Sequence, residues 1–244
     1  MNAPLRLAVV GDPVDHSASP GLHRSFLAQA RLAGSYEAIR IAAGDGARGI
    51  AELRERGYTG LNVTTPLKEE AYAVAQRHDA AALASRAVNT LVFGDRIDGY
   101  NTDGIGALGA LGDAGLVDLA GAAVLVLGAG PTARATIAAL VGADAAVFVW
   151  NRSPQRAAEI VRDLGAHPHT PGLRPDAVFA TLPPGAVPDD VTLLETIAHA
   201  PAIVDANYGA RSTLGSLLHR DDVFDGSAML RHSAAAAFAL FIST

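Results

Sequence analysis

Hydroxyls, carboxamides, one ammonium and one carboxylate gather in four short clusters in the first part of the chain. The first is Gly11-Asp12-Pro13-Val14-Asp15-His16-Ser17-Ala18-Ser19-Pro20, and the second is Asn62-Val63-Thr64-Thr65-Pro66-Leu67-Lys68-Glu69. The third is Ala87-Val88-Asn89-Thr90, and the fourth is Gly99-Tyr100-Asn101-Thr102-Asp103-Gly104. Ser17 and Ser19 stand two apart after a strand-like run, where hydroxyls can converge on a small ligand. Each cluster also has a folding explanation. Ser19 can cap a helix beginning at Pro20, Thr65 one beginning at Pro66 and Asp103 one after it, while Asn89 can serve a bend. Any one of them alone reads as structure. All four at strand ends point to a site.

A fifth cluster has a different chemistry. Val124-Leu125-Val126-Leu127 leads into Gly128-Ala129-Gly130-Pro131-Thr132-Ala133, a Gly-x-Gly-x-x-Ala turn between a buried strand and a helix. Gly128 permits the tight turn, Gly130 lets a pyrophosphate approach the backbone, and Ala133 allows close helix packing; the helix N-terminus offers N–H groups to phosphate. The next strand ends at Trp150-Asn151-Arg152-Ser153. An acidic residue there would bind the ribose 2′-hydroxyl of NAD. A guanidinium with small polar neighbours suits a 2′-phosphate instead, with Arg156 a turn further on, so NADP is the expected cofactor.

The elements that must hold these clusters alternate along the chain. Residues 5–10, 36–41 and 60–63 read as strands, with helices over 20–32, 46–56 and 67–76. Residues 91–93 and 96–100 read as a hairpin turning at Gly94-Asp95. A helix over 105–116 leads to a second series with strands at 122–127, 146–150, 177–181 and 202–205. An Ala-rich amphipathic helix over 228–241 ends the chain, and residues 167–175 read as a surface loop. The order predicts an α/β fold of two domains separated by a cleft. An N-terminal α/β substrate domain with a mostly parallel sheet is expected over residues 1–103, completed by the C-terminal helix 227–244. A Rossmann-type NADP domain is expected over 104–226, with Gly104 and Gly106 as a candidate hinge.

Composition narrows the function. Half of the 244 residues are apolar and 18% are charged, which favours a packed globule. A net charge of −6 without a Lys/Arg run argues against nucleic acid. The absence of cysteine excludes disulfides, thiol catalysis and thiolate metal sites, and fits a reducing cytoplasm. No apolar stretch is long enough to span a membrane, and residues 1–4 lack the features of a signal peptide. No metal site is expected.

The ordered motifs Gly-x-Pro-x-x-His-Ser-x-Ser-Pro, Asn-Val-Thr-x-Pro-x-Lys-Glu, Ala-Val-Asn-Thr and Asn-Thr-Asp-Gly-x-Gly, ahead of the Gly-Ala-Gly turn, resemble the shikimate dehydrogenase family. The resemblance implies NADPH-dependent, reversible reduction of 3-dehydroshikimate to shikimate, a step of chorismate and aromatic amino acid biosynthesis, by a monomer or homodimer. It implies that Ser17, Ser19, Asn62, Thr64 and Asn89 hold the ring hydroxyls and carboxylate, with Tyr208 near the carboxylate. Lys68 and Asp103 match the catalytic pair and also touch substrate. Gly128, Ala129, Gly130, Pro131, Thr132, Ala133, Asn151, Arg152, Ser153, Arg156, Thr181 and Met229 fall to the cofactor. Arg24, Arg86 and Ser233 replace the family's usual Asn, Gly and Gln, and the last of these leaves the ring acid open. Quinate or a related acid, and a non-catalytic NADP-binding regulator, stand as alternatives. Chemically, Lys68 can donate to a developing alkoxide while Asp103 orients it or relays the proton, an acid and a base without metal. His16 reads as structural, and His232 neighbours the replaced glutamine.

Overall fold

The computed structural model describes residues 4–186 and 188–243. Residues 1–3, the start searched for a leader, lie outside them, as does residue 244 at the end of the expected last helix. The chain divides into two compact units, Met1–Thr102 with Ser233–Thr244, and Asp103–His232. These divisions fall at 102/103 and 232/233, where the sequence suggested 103/104 and 226/227.

The first unit is built on a six-stranded sheet of order β2-β1-β3-β5-β6-β4. Its strands are β1 (Leu5–Gly11), β2 (Gly34–Arg40), β3 (Gly60–Val63), β4 (Arg77–His78), β5 (Thr90–Phe93) and β6 (Ile97–Tyr100). β1 runs parallel to β2 and β3, β5 is antiparallel to both β3 and β6, and β4 is parallel to β6. The sheet is therefore mixed: β5 runs against both of its neighbours, and a short hairpin joins it to β6. That hairpin turns over Gly94, Asp95 and Arg96, one residue longer than expected, with Phe93 paired to Ile97.

Alternation in β1 dictates the layers, since successive side chains point to opposite faces. Ala8 and Val10 pack with Ile50 and Leu53 of α2 (Gly46–Glu55) and with Ala71 of α3 (Lys68–Val74). Leu7 and Val9 pack on the other face with Tyr36, Val92, Ala237 and Phe241. The last two belong to the final helix, Ser227–Ile242, which completes this core. A Cβ on Gly60 would lie 2.5 Å from the Phe241 ring, so β3 must begin with glycine for that helix to seat. α1 (Ser19–Gln29) ends earlier than residue 32, and Arg31 takes a left-handed conformation (φ 54°) just beyond it. α4 (Ala80–Ser85) and β4 escaped the sequence reading because each is too short to show a period.

The second unit carries a wholly parallel sheet of order β11-β10-β7-β8-β9. The strands are β7 (Ala123–Leu127), β8 (Ala146–Trp150), β9 (His167–Pro168), β10 (Ala177–Ala180) and β11 (Ala202–Asp205). The stretch 167–175 is thus not all loop: β9 adds an edge strand, the position a sheet allows to Pro168. α5 (Asp103–Asp113) and α6 (Pro131–Gly142) cover Val124 and Val126 with Ala107, Leu111, Ile137 and Leu140. α7 (Pro154–Leu164) adds Ile160 to that face. Leu193 and Ile197 of α8 (Val191–Ala198) and Leu214 of α9 (Leu214–Leu218) cover Leu125 and Leu127. The order reverses direction between β7 and β10, the switch point where open α/β sheets bind ligands. Ser227–Ile242, hereafter α10, gives Ala228 and Met229 to this core and Ala237 and Phe241 to the first. Among the described residues no helix is long and apolar enough to cross a membrane.

His23 on α1 sits in an aromatic box. Its ring stacks on Tyr36 at 4.3 Å and meets Phe26, Phe238 and Phe241 within 6.1 Å. It is 1% exposed, and neither ring nitrogen has a hydrogen-bond partner. Burial lowers its pKa from 6.5 to about 4. The unfolded state therefore takes up the proton first as pH falls, so stability is unaffected above pH 6.5 and declines towards pH 4. Between about pH 6.5 and 5 the loss from this residue is about 2 kcal/mol. Urea denaturation at pH 7 and pH 5 should show that much less loss in His23→Phe than in the native chain. Equal losses would clear His23 of the effect.

Candidate active site

Around the carboxyl end of β3 the first unit assembles a chain of polar side chains. Tyr36 Oη donates to Asn62 Oδ1 at 2.7 Å, and Asn62 Nδ2 donates to Thr90 Oγ1 at 3.1 Å. Thr90 Oγ1 donates to Asn89 Oδ1 at 3.0 Å, and Asn89 Oδ1 also accepts from the Thr102 backbone N–H at 2.9 Å. Thr102 Oγ1 lies 2.8 Å from Ser233 Oγ on α10. At the other end Ser19 hydrogen-bonds Tyr36, whose phenol burial pushes well above its ordinary pKa, so it remains a donor. Ser19 is the first residue of α1 and caps nothing; Ala18 holds the cap position. The capping explanation for Ser19 falls, and so does that for Thr65, because α3 starts at Lys68 with no side-chain cap.

Ser17 is half-buried and accepts from the Ser19 backbone N–H at 3.3 Å. Thr64 lies against Gly11: a Cβ there would be 2.4 Å from Thr64 Cγ2. Lys68 is the half-buried first residue of α3, a cation at the positive end of a helix dipole, an arrangement no helix selects for stability. The following residues Glu69 and Glu70 offset it, and Glu70 also accepts from the backbone N–H groups of Gly44 and Gly46 at the start of α2.

In the second unit the glycine turn follows β7 at the switch point. Gly128 has φ +120°, and a Cβ there would lie 2.3 Å from Thr181 Oγ1, which itself donates to the Leu127 carbonyl at 3.0 Å. Gly130 differs. It is extended (φ −83°, ψ −177°), a Cβ there would meet nothing within 4 Å, and α6 has no side-chain cap. The fold does not need Gly130 to be small; a phosphate approaching the turn would. Pro131 takes the first helical position, leaving the N–H groups of Thr132 and Ala133 as the first the helix presents. Beyond β8, Asn151 Nδ2 donates to the Ser153 carbonyl at 3.1 Å and Ser153 Oγ to Gln155 Oε1 at 3.1 Å. Arg152 and Arg156 are exposed there, and neither belongs to any of the ion pairs of the described residues. Glycine turn, helix start and basic pair together fit a dinucleotide with a 2′-phosphate.

Asp103 opens α5, 6% exposed, and Thr132 Oγ1 donates to its Oδ2 at 3.2 Å. Asp205, at the end of β11, is buried and collects donors from Asn207, Ser212, Thr213 and Leu214. It thereby fixes the loop carrying half-buried Tyr208. Met229 is 7% exposed and packs into the core that α5 and α6 also line.

The family model described as "Shikimate dehydrogenase substrate binding domain" matches residues 9–91, and that described as "Shikimate / quinate 5-dehydrogenase" matches residues 111–172. A shikimate dehydrogenase (NADP(+)) of Acidiphilium cryptum (strain JF-5) is 44% identical over 82% of this chain and 71% of the relative. Another, of Methylocella silvestris, is 38% identical over 98% of this chain and 91% of the relative. The crystal structure of shikimate 5-dehydrogenase from Thermus thermophilus in complex with NADP(H) and shikimate is 34% identical, with a TM-score of 0.84 over 98% of this chain and 94% of that one. This chain belongs to the shikimate dehydrogenase family.

Against the usual shikimate dehydrogenase motifs, Arg86 stands where glycine is usual, and the structure gives the reason for the glycine: the position closes α4 in a left-handed conformation (φ 55°, ψ 37°). Arginine there costs on the order of 1 kcal/mol in backbone strain. Ser233, in the glutamine's place, joins the polar chain through Thr102. The sequence reading missed Tyr36, which looked like one more strand residue. Thr90 and Thr102 lay inside quoted motifs without being singled out. The available signal for Tyr36 was its aromatic hydroxyl within a strand next to the serine cluster.

The contrast between the two glycines is testable without a ligand. Gly128→Ala should lower stability by at least about 1–2 kcal/mol, through left-handed strain and the clash with Thr181. Gly130→Ala should leave the melting temperature unchanged or slightly raised. A large loss at Gly130 would mean that folding, and not a ligand, requires it.

Proposed function

We propose that the chain catalyses the NADP-dependent, reversible reduction of 3-dehydroshikimate to shikimate. The observation that carries this reading is the buried to half-buried polar chain Ser19–Tyr36–Asn62–Thr90–Asn89–Thr102–Ser233, in the same unit as a lysine that the helix it opens does not stabilise. Such a chain pre-orients hydroxyls and carboxamides for a small polyhydroxylated acid. The ring hydroxyls and carboxylate fall to Ser17, Ser19, Asn62, Thr64 and Asn89, with Tyr208 at the carboxylate.

The cofactor is held, in this reading, by Gly128, Ala129, Gly130, Pro131, Thr132 and Ala133 at the pyrophosphate, with Thr181 and Met229 further along. Asn151, Arg152, Ser153 and Arg156 take the 2′-phosphate. When bound, the nicotinamide supplies the hydride that goes to the carbonyl carbon. Lys68 donates to the carbonyl oxygen as negative charge develops there, and the proton that completes the hydroxyl comes from the Lys68/Asp103 pair. In the reverse direction the same pair takes the proton from the hydroxyl. The pair shares the proton as a unit. The cytoplasm is the proposed location, with which a cysteine-free chain is compatible.

The test is formation of reduced nicotinamide with shikimate, then quinate, each with NADP⁺ and with NAD⁺. Fastest turnover with shikimate and NADP⁺ supports the reading; turnover with quinate alone replaces it. In the same assay Lys68→Ala should lose about 10²–10⁴-fold in kcat while NADPH binding survives, and near-native turnover would remove Lys68 from the chemistry. Arg152→Ala should weaken NADPH about 10–100-fold with little change for NADH, measured by fluorescence titration. Equal weakening of both would show that Arg152 does not read the phosphate.

A further inference from the structure

We propose that Thr132 is a positioning residue for Asp103, so that one helix start serves both the cofactor and the carboxylate of the catalytic pair. The inference rests on the reading of Asp103 given above. The glycine turn requires of position 132 only a backbone N–H; a hydroxyl there is surplus to the turn itself. That hydroxyl donates to Asp103 Oδ2 at 3.2 Å.

The approach of the two residues is built into the packing of α5 on α6. Gly104 follows Asp103, and a Cβ on it would stand 2.7 Å from Ala139 Cβ and 2.9 Å from the Ala135 carbonyl oxygen. The first turn of α5 therefore lies directly against α6, and only glycine allows it. With Gly104 pressed on one turn of α6, Asp103 is delivered to the residue at the second position of the same helix. Asp103 is 6% exposed, so protein groups and not bulk water set its orientation. Threonine suits the task because its branched Cβ restricts the side chain to few rotamers, and its hydroxyl donates without adding charge. A hydrogen bond to a charged acceptor is stronger than one between neutral groups, which makes this contact energetically relevant to where the carboxylate points.

The experiment compares Thr132→Val and Thr132→Ser in the native chain and in Asp103→Asn. It reads kcat, KM for shikimate, NADPH affinity by fluorescence and melting temperature. Thr132→Val should lower kcat by about tenfold or more, with NADPH affinity within about threefold and melting temperature kept. Thr132→Ser should recover most of the loss. In Asp103→Asn, assayed at raised enzyme concentration, Thr132→Val should add nothing further, as expected of groups acting as one unit. Unchanged kcat in Thr132→Val overturns the proposal, as does a loss confined to NADPH affinity, which would make the hydroxyl a phosphate ligand. An equal loss in the Asp103→Asn background overturns it too. If Asp103→Asn alone turns over at the native rate, the catalytic pair itself is refuted, and the positioning role falls with it.

Discussion

Both units end a central strand in a glycine pressed against a threonine that follows the neighbouring strand. At the end of β1, Gly11 leaves room for Thr64 beyond β3; at the end of β7, Gly128 leaves room for Thr181 beyond β10. A Cβ in either place would fall within 2.4 Å of the threonine side chain. These are the points where chain connections depart in opposite directions, so the carboxyl ends of two adjacent strands open without a helix crossing over them. A glycine there keeps the strand ends together while their loops splay, and residues of both units proposed for the chemistry hang from those loops. Ser17, Ser19 and Lys68 depend on the first junction, and the turn from Gly128 to Ala133 depends on the second.

The polar chain of the first unit solves a separate problem. Asn89 and Thr102 are buried and must satisfy each other and the backbone around them. Asn89 therefore has a folding duty as well as a proposed ligand duty, which is why the structural and functional explanations of its motif cannot be separated by type of residue. The chain is anchored at one side by Tyr36, held flat under the His23 ring, and at the other by Ser233 on α10. An unpartnered histidine in an aromatic box is a poor device for holding charge and a good one for fixing a phenol. His23 is tied to the site by packing rather than by chemistry.

Much was legible along the chain because it rested on short-range patterns. The Gly-x-Gly-x-x-Ala turn lies between a strand and a helix whose periods read plainly, and the missing acidic residue after β8 can be seen in four letters. The order of the polar motifs is enough by itself to point to the family. Errors clustered where periods are too short to register: α4, β4 and β9, the extra turn residue Arg96, and the early stop of α1.

The sequence by itself thus determined the two α/β series, the family and the residue types available for chemistry, since these depend on local spacing and strand–helix alternation. Tertiary structure alone decided which of those residues meet. Thr102 touches Ser233 across 131 positions, and Thr132 reaches Asp103 across 29. It also decided that α10 gives its first turns to one core and Phe241 to the other. Contacts at such separations follow from layers closing over apolar faces and from where glycine permits close approach, and no periodicity along the chain encodes them.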